Sequence, residues 1–336
     1  MTIVNAYAGK AAGKALEPFE FELGDIAPGE IDVDVISCGM CHSDLSMLNN
    51  DWGMSQYPLV PGHEVIGKVS ATGEGVTHLK IGQTVGVGWM SGSCLTCNTC
   101  MSGSQHHCSD AAGTIIGRHG GFADKIRTQA AWAIPLPEAL DPKTAGPLFC
   151  GGVTVFTPIV DYGILPTDKV GVIGIGGLGH LAVQFLNAWG CEVTAFTTSD
   201  DKREELKSLG AHRIVNTRDE DALKKLRGQY DAVISTVNVS LPWDNYLTAL
   251  APRGRLITVG MVTEPMKVPA GKLIMGQKAV GGSDTGSPAM IAKMLDFCAR
   301  HNITPMTESY KMSDVNDAIA HLEAGKARYR VVLQTE

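Results

Sequence analysis

The run Gly174-Ile175-Gly176-Gly177-Leu178-Gly179 constrains the fold more than any other feature. It is a G-x-G-x-x-G pattern set between an apolar stretch at 169–174 and a segment at 178–189 with the apolar spacing of a helix. In that setting the first glycine permits a tight turn, the second lets backbone approach a pyrophosphate, and the third lets helix and strand pack closely. The helix N-terminus adds partial positive charge. Gly174, Gly176, Gly177, Leu178 and Gly179 are therefore candidate dinucleotide contacts. A glycine-rich turn without a ligand is the plain alternative, and the strand-turn-helix context argues against it.

The alternation continues on both sides of this loop. Strand-like segments fall at 169–174, 192–197, 213–215, 230–237, 255–260 and 278–282, with helix-like segments at 178–189, 200–209, 220–227 and 243–250. Six strands with crossover helices predict a doubly wound parallel sheet, a Rossmann domain, in an α/β chain. Residues 1–150 read differently, with short β-like runs at 31–37, 65–69 and 84–87 broken by Gly and Pro turns. Helices at 288–301 and 314–324 and a strand at 330–334 are expected to return to this β-rich part. The expected division is 1–150 completed by 286–336, and 151–285.

The end of the second strand of such a sheet selects the cofactor, because an acid there accepts from a ribose 2′-hydroxyl and repels a 2′-phosphate. Here the segment reads Ala195-Phe196-Thr197-Thr198-Ser199-Asp200-Asp201-Lys202-Arg203, with Thr197 where the acid belongs. Hydroxyls at Thr197, Thr198 and Ser199 and cations at Lys202 and Arg203 suit a 2′-phosphate, so NADP(H) is favoured over NAD. The same residues also read as an ordinary helix start, capped by Ser199 or Asp200.

Nine cysteines occur, and four of them, Cys94, Cys97, Cys100 and Cys108, have the spacing C-x2-C-x2-C-x7-C. One loop can then wrap four thiolates around a tetrahedral ion, a structural zinc site with no open position. An iron-sulfur cluster is the alternative, and its usual intervals differ. A second set is dispersed: Cys41, His63, Glu64 and Cys150. Singly, a buried cysteine is a small hydrophobe. Together, two thiolates, an imidazole and a carboxylate suit a catalytic zinc that keeps a position for substrate. Two zincs per chain are thus expected. Cys38 competes for the ligand role in its segment.

Cys41-His42-Ser43-Asp44, Gly62-His63-Glu64, the four-cysteine run, Cys150-Gly151-Gly152-Val153-Thr154 and the 174–179 loop follow one another in an order that resembles the zinc-containing medium-chain dehydrogenases, and within them the cinnamyl alcohol dehydrogenase group of NADPH-linked aldehyde reductases. The resemblance covers nearly the whole chain. It implies a GroES-like, β-rich catalytic domain beside the Rossmann domain. It makes Cys41, His63 and Cys150 the standing zinc ligands, Glu64 an alternate ligand or electrostatic partner, and Cys38 structural. Asp44 would receive the second ring N–H of His63. Ser43 would start a proton relay at the substrate oxygen, and His42 would face the cofactor pyrophosphate. Thr154 would seat the nicotinamide, with Val259 and Ser283 also among the cofactor contacts. Trp52 and Met90 would line the pocket of an aromatic or medium-chain aliphatic substrate, in a cleft between the domains. Where the family often has a relay histidine, this sequence has Ser46.

The activity this implies is hydride transfer between NADP(H) and primary alcohols or aldehydes, zinc polarising the substrate oxygen. An NAD-dependent polyol or secondary-alcohol dehydrogenase is the rival enzyme, and Thr197 disfavours it. A nucleotide-binding protein without turnover would be expected to have lost zinc ligands or Ser43. With a formal net charge of −7 and no basic stripe, nucleic acid is not an expected partner. No apolar run suggests a membrane span or a secretory leader, so a cytoplasmic enzyme is expected. The family commonly pairs subunits through the edge of the nucleotide-binding sheet, so a homodimer is expected.

Overall fold

Three inner strands of the parallel sheet are apolar along most of their length, as a sheet covered on both faces requires. In the computed structural model, which describes residues 2–335, Val170, Val172 and Ile173 of strand Lys169–Ile173 are buried, as are Val193 to Phe196 of Glu192–Thr197 and Ala232 to Ser235 of Tyr230–Ser235. The six parallel strands lie in the spatial order Arg213–Asn216, Glu192–Thr197, Lys169–Ile173, Tyr230–Ser235, Leu250–Thr258, Ala279–Gly282. The direction of winding reverses between Lys169–Ile173 and Tyr230–Ser235. In doubly wound sheets such a switch point opens a crevice at the carboxyl ends of the strands.

The chain forms two compact units, one running through Val153 and resuming at Thr285, the other spanning Thr154–Asp284. The second unit holds the parallel sheet, with Phe196, Val233, Leu247 and Leu256 in its core. Each such fully buried side chain contributes about 1.5–3 kcal/mol over an exposed one. Helix Gly179–Trp189 buries Leu181, Val183, Phe185 and Leu186 and stops at Gly190, whose φ of 110° closes the last turn.

In the first unit, strand Glu30–Met40 is central. It pairs antiparallel with Glu64–Thr72, with Lys125–Gln129 and with the C-terminal strand Arg330–Gln334, itself flanked by Thr307–Lys311. Thr84–Val87 and Ile134–Pro135 extend the other side. Ile31, Val33, Val65, Val85, Phe122, Ile126, Val331 and Leu333 fill the core. Two registers matter for chemistry: Gly39 opposite Glu64 and Met40 opposite Val331. They bring three segments far apart in sequence to one end of the sheet.

Some elements differ from the sequence expectation. Helix His42–Asn49, the N-terminal hairpin Thr2–Ala8 with Glu17–Leu23, and helix Gly151–Asp161 were not expected from periodicity. The helix expected over 200–209 is confined to Arg203–Ser208, with Lys202 rather than Ser199 or Asp200 at its N-cap and no side-chain cap. Asp200 and Asp201 have other partners, described below.

Candidate active site

Strand Glu30–Met40 ends at Met40, and the chain turns at Cys41 into helix His42–Asn49. Asp44, fully buried, ties this turn to a second one: its Oδ2 accepts from Cys41 N at 2.9 Å and its Oδ1 from Gly62 N at 2.8 Å. Gly62 has a φ of 99°, and a Cβ there would lie 2.6 Å from the Phe122 ring. Only glycine lets the second turn approach so closely. His63 follows, its Nδ1 2.9 Å from Asp44 Oδ1, so Nδ1–H donates and Nε2 is left as the free donor of an electron pair.

That Nε2 lies 3.2 Å from Cys150 Sγ, and Cys41 Sγ lies 3.9 Å from Cys150 Sγ. With one carboxylate oxygen of Glu64, these atoms all fall within 4.8 Å of one another, and all four residues are buried. A tetrahedral zinc with Zn–S of about 2.3 Å has S···S edges of about 3.8 Å. The spacing therefore fits the ion. Ser43 Oγ is 3.7 Å from Cys41 Sγ.

The electrostatics point the same way. The hydrogen bond from Cys150 holds the Cys41 thiol well below the usual thiol range, against burial, with help from His63 and Arg330. That same bond, with burial, pushes Cys150 well up. Burial pulls His63 down, but the Asp44 carboxylate, its hydrogen bond and Cys41 outweigh this and raise it. Burial pushes Glu64 up, with Arg330 opposing. Two thiols and a carboxyl that share a dry site this way can all ionise only beside a compensating cation.

Part of that compensation comes from Arg330, at the start of the C-terminal strand, whose Nη2 donates to Glu64 Oε1 and to Met40 O at 3.4 Å. Both side chains are essentially inaccessible, at 4% and 0% exposure, so neither charge is offset by water. Glu64 Oε2 has no hydrogen-bond partner among the described residues. It lies where a Cβ on Gly39 would come within 2.0 Å, so the glycine opposite Glu64 makes room for the carboxylate. Sequence reasoning missed Arg330. The signal was a lone cation opening the otherwise apolar run Arg330-Val331-Val332-Leu333. Trp89 was missed as well: it stands edge-on to the His63 ring at 4.9 Å and to Trp52 at 6.0 Å. Trp52 and Met90 are both half-buried. Cys38 lies outside the donor group, its Sγ against Gly62 and Gly121, and burial pushes its thiol up.

The four cysteines of the single run come together around Asn98–Met101, a one-turn helix N-capped by Cys97. Their sulfurs fall within the same limit, with Cys94–Cys100 at 3.9 Å, Cys97–Cys108 at 3.8 Å and Cys94–Cys108 at 3.5 Å. Backbone N–H groups of Cys97, Cys100 and Asp110 donate to the sulfurs of Cys94, Cys97 and Cys108. The N–H groups of Thr96 and Cys97 bring the Cys94 thiol down to about 6, while burial pushes Cys100 up to about 12. The donor set is closed and all-sulfur, which suits a structural ion.

In the second unit the glycine loop leaves strand Lys169–Ile173 at the switch point. Gly174 has a φ of 85°, and a Cβ there would lie 2.4 Å from Val237. A Cβ on Gly179 would lie 2.0 Å from Gly174 O, whereas one on Gly176 would meet nothing within 4 Å. Gly176 is exposed, and Gly177 and Leu178 are half-buried beside it. This is a tight turn, an open backbone face and a helix pressed on its strand, the geometry a pyrophosphate requires. Thr236 Oγ1 pins the turn by donating to Gly174 O at 2.6 Å. Because the strands are parallel, Thr197, Val259 and Ser283 reach the same carboxyl-end edge of the sheet. Val259 N donates to Ser235 O and Ser283 N to Thr258 O. Thr154 is buried on helix Gly151–Asp161, and His42 is exposed at the start of its own helix.

The turn after Glu192–Thr197 is internally bonded. Ser199 N donates to Thr197 Oγ1 at 3.3 Å, Ser199 Oγ to Asp201 Oδ2 at 2.9 Å, and Arg203 Nη2 to Asp200 Oδ1 at 2.7 Å. Thr198 and Lys202 are exposed.

The sequence matches the alcohol dehydrogenase GroES-like domain over residues 27–138 and the zinc-binding dehydrogenase family over residues 177–300. Aldehyde reductase AdhA of Synechocystis sp. is 53% identical over 331 residues, 98% of each chain. Among solved structures, a cinnamyl alcohol dehydrogenase of Sorghum bicolor superposes with a TM-score of 0.94 at 37% identity, covering 99% of this chain and 98% of that one. The Helicobacter pylori CAD complexed with NADP(H) superposes with a TM-score of 0.92 at 28% identity and the same coverage. With these matches, a GroES-like part, a doubly wound parallel sheet and two groups of metal-binding side chains, the chain belongs to the zinc-binding alcohol dehydrogenases.

Proposed function

We propose that this chain is an NADP(H)-linked zinc aldehyde reductase that interconverts aromatic or medium-chain aliphatic aldehydes and their primary alcohols. The observation that carries this reading is the convergence of Cys41, His63, Glu64 and Cys150 in one buried group beside Ser43 and an aromatic wall. When bound there, zinc supplies Lewis acidity toward the substrate oxygen and NADP(H) supplies or takes up the hydride.

The residues divide the remaining work. Cys41, His63 and Cys150 hold the metal, with Glu64 as alternate ligand or electrostatic partner. Asp44 fixes His63 with its proton on Nδ1. Ser43 Oγ holds or passes the proton at the substrate oxygen. Trp52, Trp89 and Met90 offer apolar contact to a ring or alkyl chain. Cys94, Cys97, Cys100 and Cys108 hold a second, structural zinc. On this reading the catalytic domain is 1–150 completed by 286–336, and 151–285 binds nucleotide.

Gly174, Gly176, Gly177, Leu178 and Gly179 cradle the pyrophosphate, with His42, Thr154, Val259 and Ser283 as further cofactor contacts. Thr197, Thr198, Ser199 and Lys202 receive a 2′-phosphate. Supporting this choice are the absence of an acid at Thr197 and the NADP(H) bound by the Helicobacter relative. A homodimer through the edge strand Ala279–Gly282 accords with the exposure of nearby Ile274 and Met275, at 75% and 86%. No helix of the described residues is long and apolar enough to cross a membrane. None of the nine cysteines is paired in a disulfide, six of them being assigned to zinc, which accords with a reducing compartment such as the cytoplasm.

Initial rates of cinnamaldehyde and benzaldehyde reduction with NADPH and with NADH, on protein whose zinc has been counted, test the proposal. About two zincs per chain with faster NADPH-linked turnover is the expected result. An NADH preference would overturn the cofactor assignment, and no turnover on either aldehyde would overturn the substrate class.

A further inference from the structure

The turn after strand Glu192–Thr197 carries two opposed chemistries. Its hydroxyls and Lys202 suit a 2′-phosphate, yet two carboxylates occupy the same few residues. They are held differently. Asp200 accepts from Arg203 Nη2 at 2.7 Å and from Asn216 Nδ2 at 2.8 Å, and Asn216 ends the neighbouring strand. Its charge is paired, and it anchors the turn to the sheet. Asp201 instead accepts the Ser199 hydroxyl proton at 2.9 Å and returns its own N–H to Ser199 Oγ at 3.1 Å. Its side chain is exposed and bonded within the turn.

We propose that Asp201 is a specificity-determining residue that restrains the preference for a 2′-phosphorylated cofactor, by occupying the Ser199 hydroxyl and standing as an anion beside the phosphate position. The proposal rests on the assignment of Ser199 and Lys202 to the 2′-phosphate. A phosphate oxygen only accepts hydrogen bonds, and Ser199 has one hydroxyl proton, which Asp201 already takes. Binding a phosphate there breaks that bond and leaves two anions separated by one hydroxyl, about 5 Å apart. At that distance in a water-exposed site, repulsion weakens binding by roughly five- to tenfold. A cofactor with a free 2′-hydroxyl meets no such penalty, since a carboxylate accepts from a hydroxyl. Asp201 therefore narrows the gap between NADPH and NADH, whereas Asp200 supports the shape of the turn.

The test is calorimetric titration of the zinc-loaded enzyme with adenosine 2′,5′-bisphosphate and with AMP, which reads the subsite without turnover. Asp201→Asn removes the charge and keeps an acceptor for Ser199, and Asp201→Ala removes both. The bisphosphate should bind about fivefold tighter to Asp201→Asn and at least as tightly to Asp201→Ala, with AMP changed less than about twofold. Adding Ser199→Ala to Asp201→Ala should cancel the part of the gain that comes from the released hydroxyl. KM for NADPH should fall in parallel, with KM for NADH nearly unmoved. If wild type prefers the bisphosphate, Lys202→Ala removes that preference and Asp201→Asn changes nothing, the role of Asp201 is wrong and the phosphate assignment stands. If no variant distinguishes bisphosphate from AMP, both are wrong.

Discussion

The Nδ1 of His63 lies 2.9 Å from Oδ1 of Asp44, and the same carboxylate accepts the backbone N–H of Cys41 and of Gly62. One buried side chain thus sets the tautomer of one candidate ligand and the backbone position of another.

Asp44→Asn should therefore loosen metal binding without unfolding the chain. An amide cannot accept on both ends, so either His63 or Cys41 N loses its partner. The expected fall in zinc affinity is about 10–100-fold. Competition with a chelator, following zinc per chain, measures it. Unchanged affinity would mean that the turns hold the ligands without Asp44.

Arg330 and Glu64 form a pair sealed from water. Arg330→Met takes from the carboxylate its buried arginine partner and should destabilise the holoenzyme by about 3–5 kcal/mol in urea unfolding, while Arg330→Met with Glu64→Gln should recover part of the loss. If the double variant were as unstable as the sum of the two single variants, Arg330 would act by packing rather than by charge.

The two cysteine groups should fail differently. Cys41→Ser should remove one zinc and nearly all turnover, whereas Cys94→Ser should remove the other and mainly lower thermal stability. The Cys94 thiol, ordinarily near 9, is held down to about 6. A lowered value in the folded state means that the thiolate's contribution is complete above about 9 and is lost as pH falls through about 6. Protons compete with the metal for all four thiolates, so zinc release from this lobe, followed with a chromogenic chelator, should rise as pH falls.

Two glycines of one loop should also separate. Gly179→Ala sets a Cβ 2.0 Å from Gly174 O and should lower the melting temperature even without cofactor. Gly176→Ala meets no protein atom within 4 Å, so its melting temperature should hold while KM for the cofactor rises severalfold. Equal loss of stability in both would show that the loop cannot tolerate a methyl at either place for reasons of backbone conformation.

Much of the second unit was legible because its signals are local. The strand-turn-helix around Gly174–Gly179 and the positions of the apolar strands along the chain depend on neighbouring residues, and the expected strand Glu192–Thr197 appears with the same bounds. The helix expected from 200 starts at Arg203, since Asp200 turns to Asn216 on the next strand, a partner that only the parallel pairing supplies. Cys41, His63, Glu64 and Cys150 were grouped by donor chemistry, and resemblance to a family then chose Cys41 over Cys38. Nothing in the spacing of Cys41, His63 and Cys150, 22 and 87 residues apart, brings them together.

By itself the sequence determined the glycine loop, the alternation that builds a doubly wound sheet and the four-cysteine lobe, because each is written in contiguous residues whose turns and short hydrogen-bonded rings close within one segment. Only the tertiary structure decided that Arg330 meets Glu64, that Gly39 leaves space for its carboxylate, and that Asp44 joins two turns. Those contacts depend on the pairing of Glu30–Met40 with Glu64–Thr72 and Arg330–Gln334. These strands are far apart in sequence, so no tight turn fixes their register, which follows from the faces that the whole sheet buries.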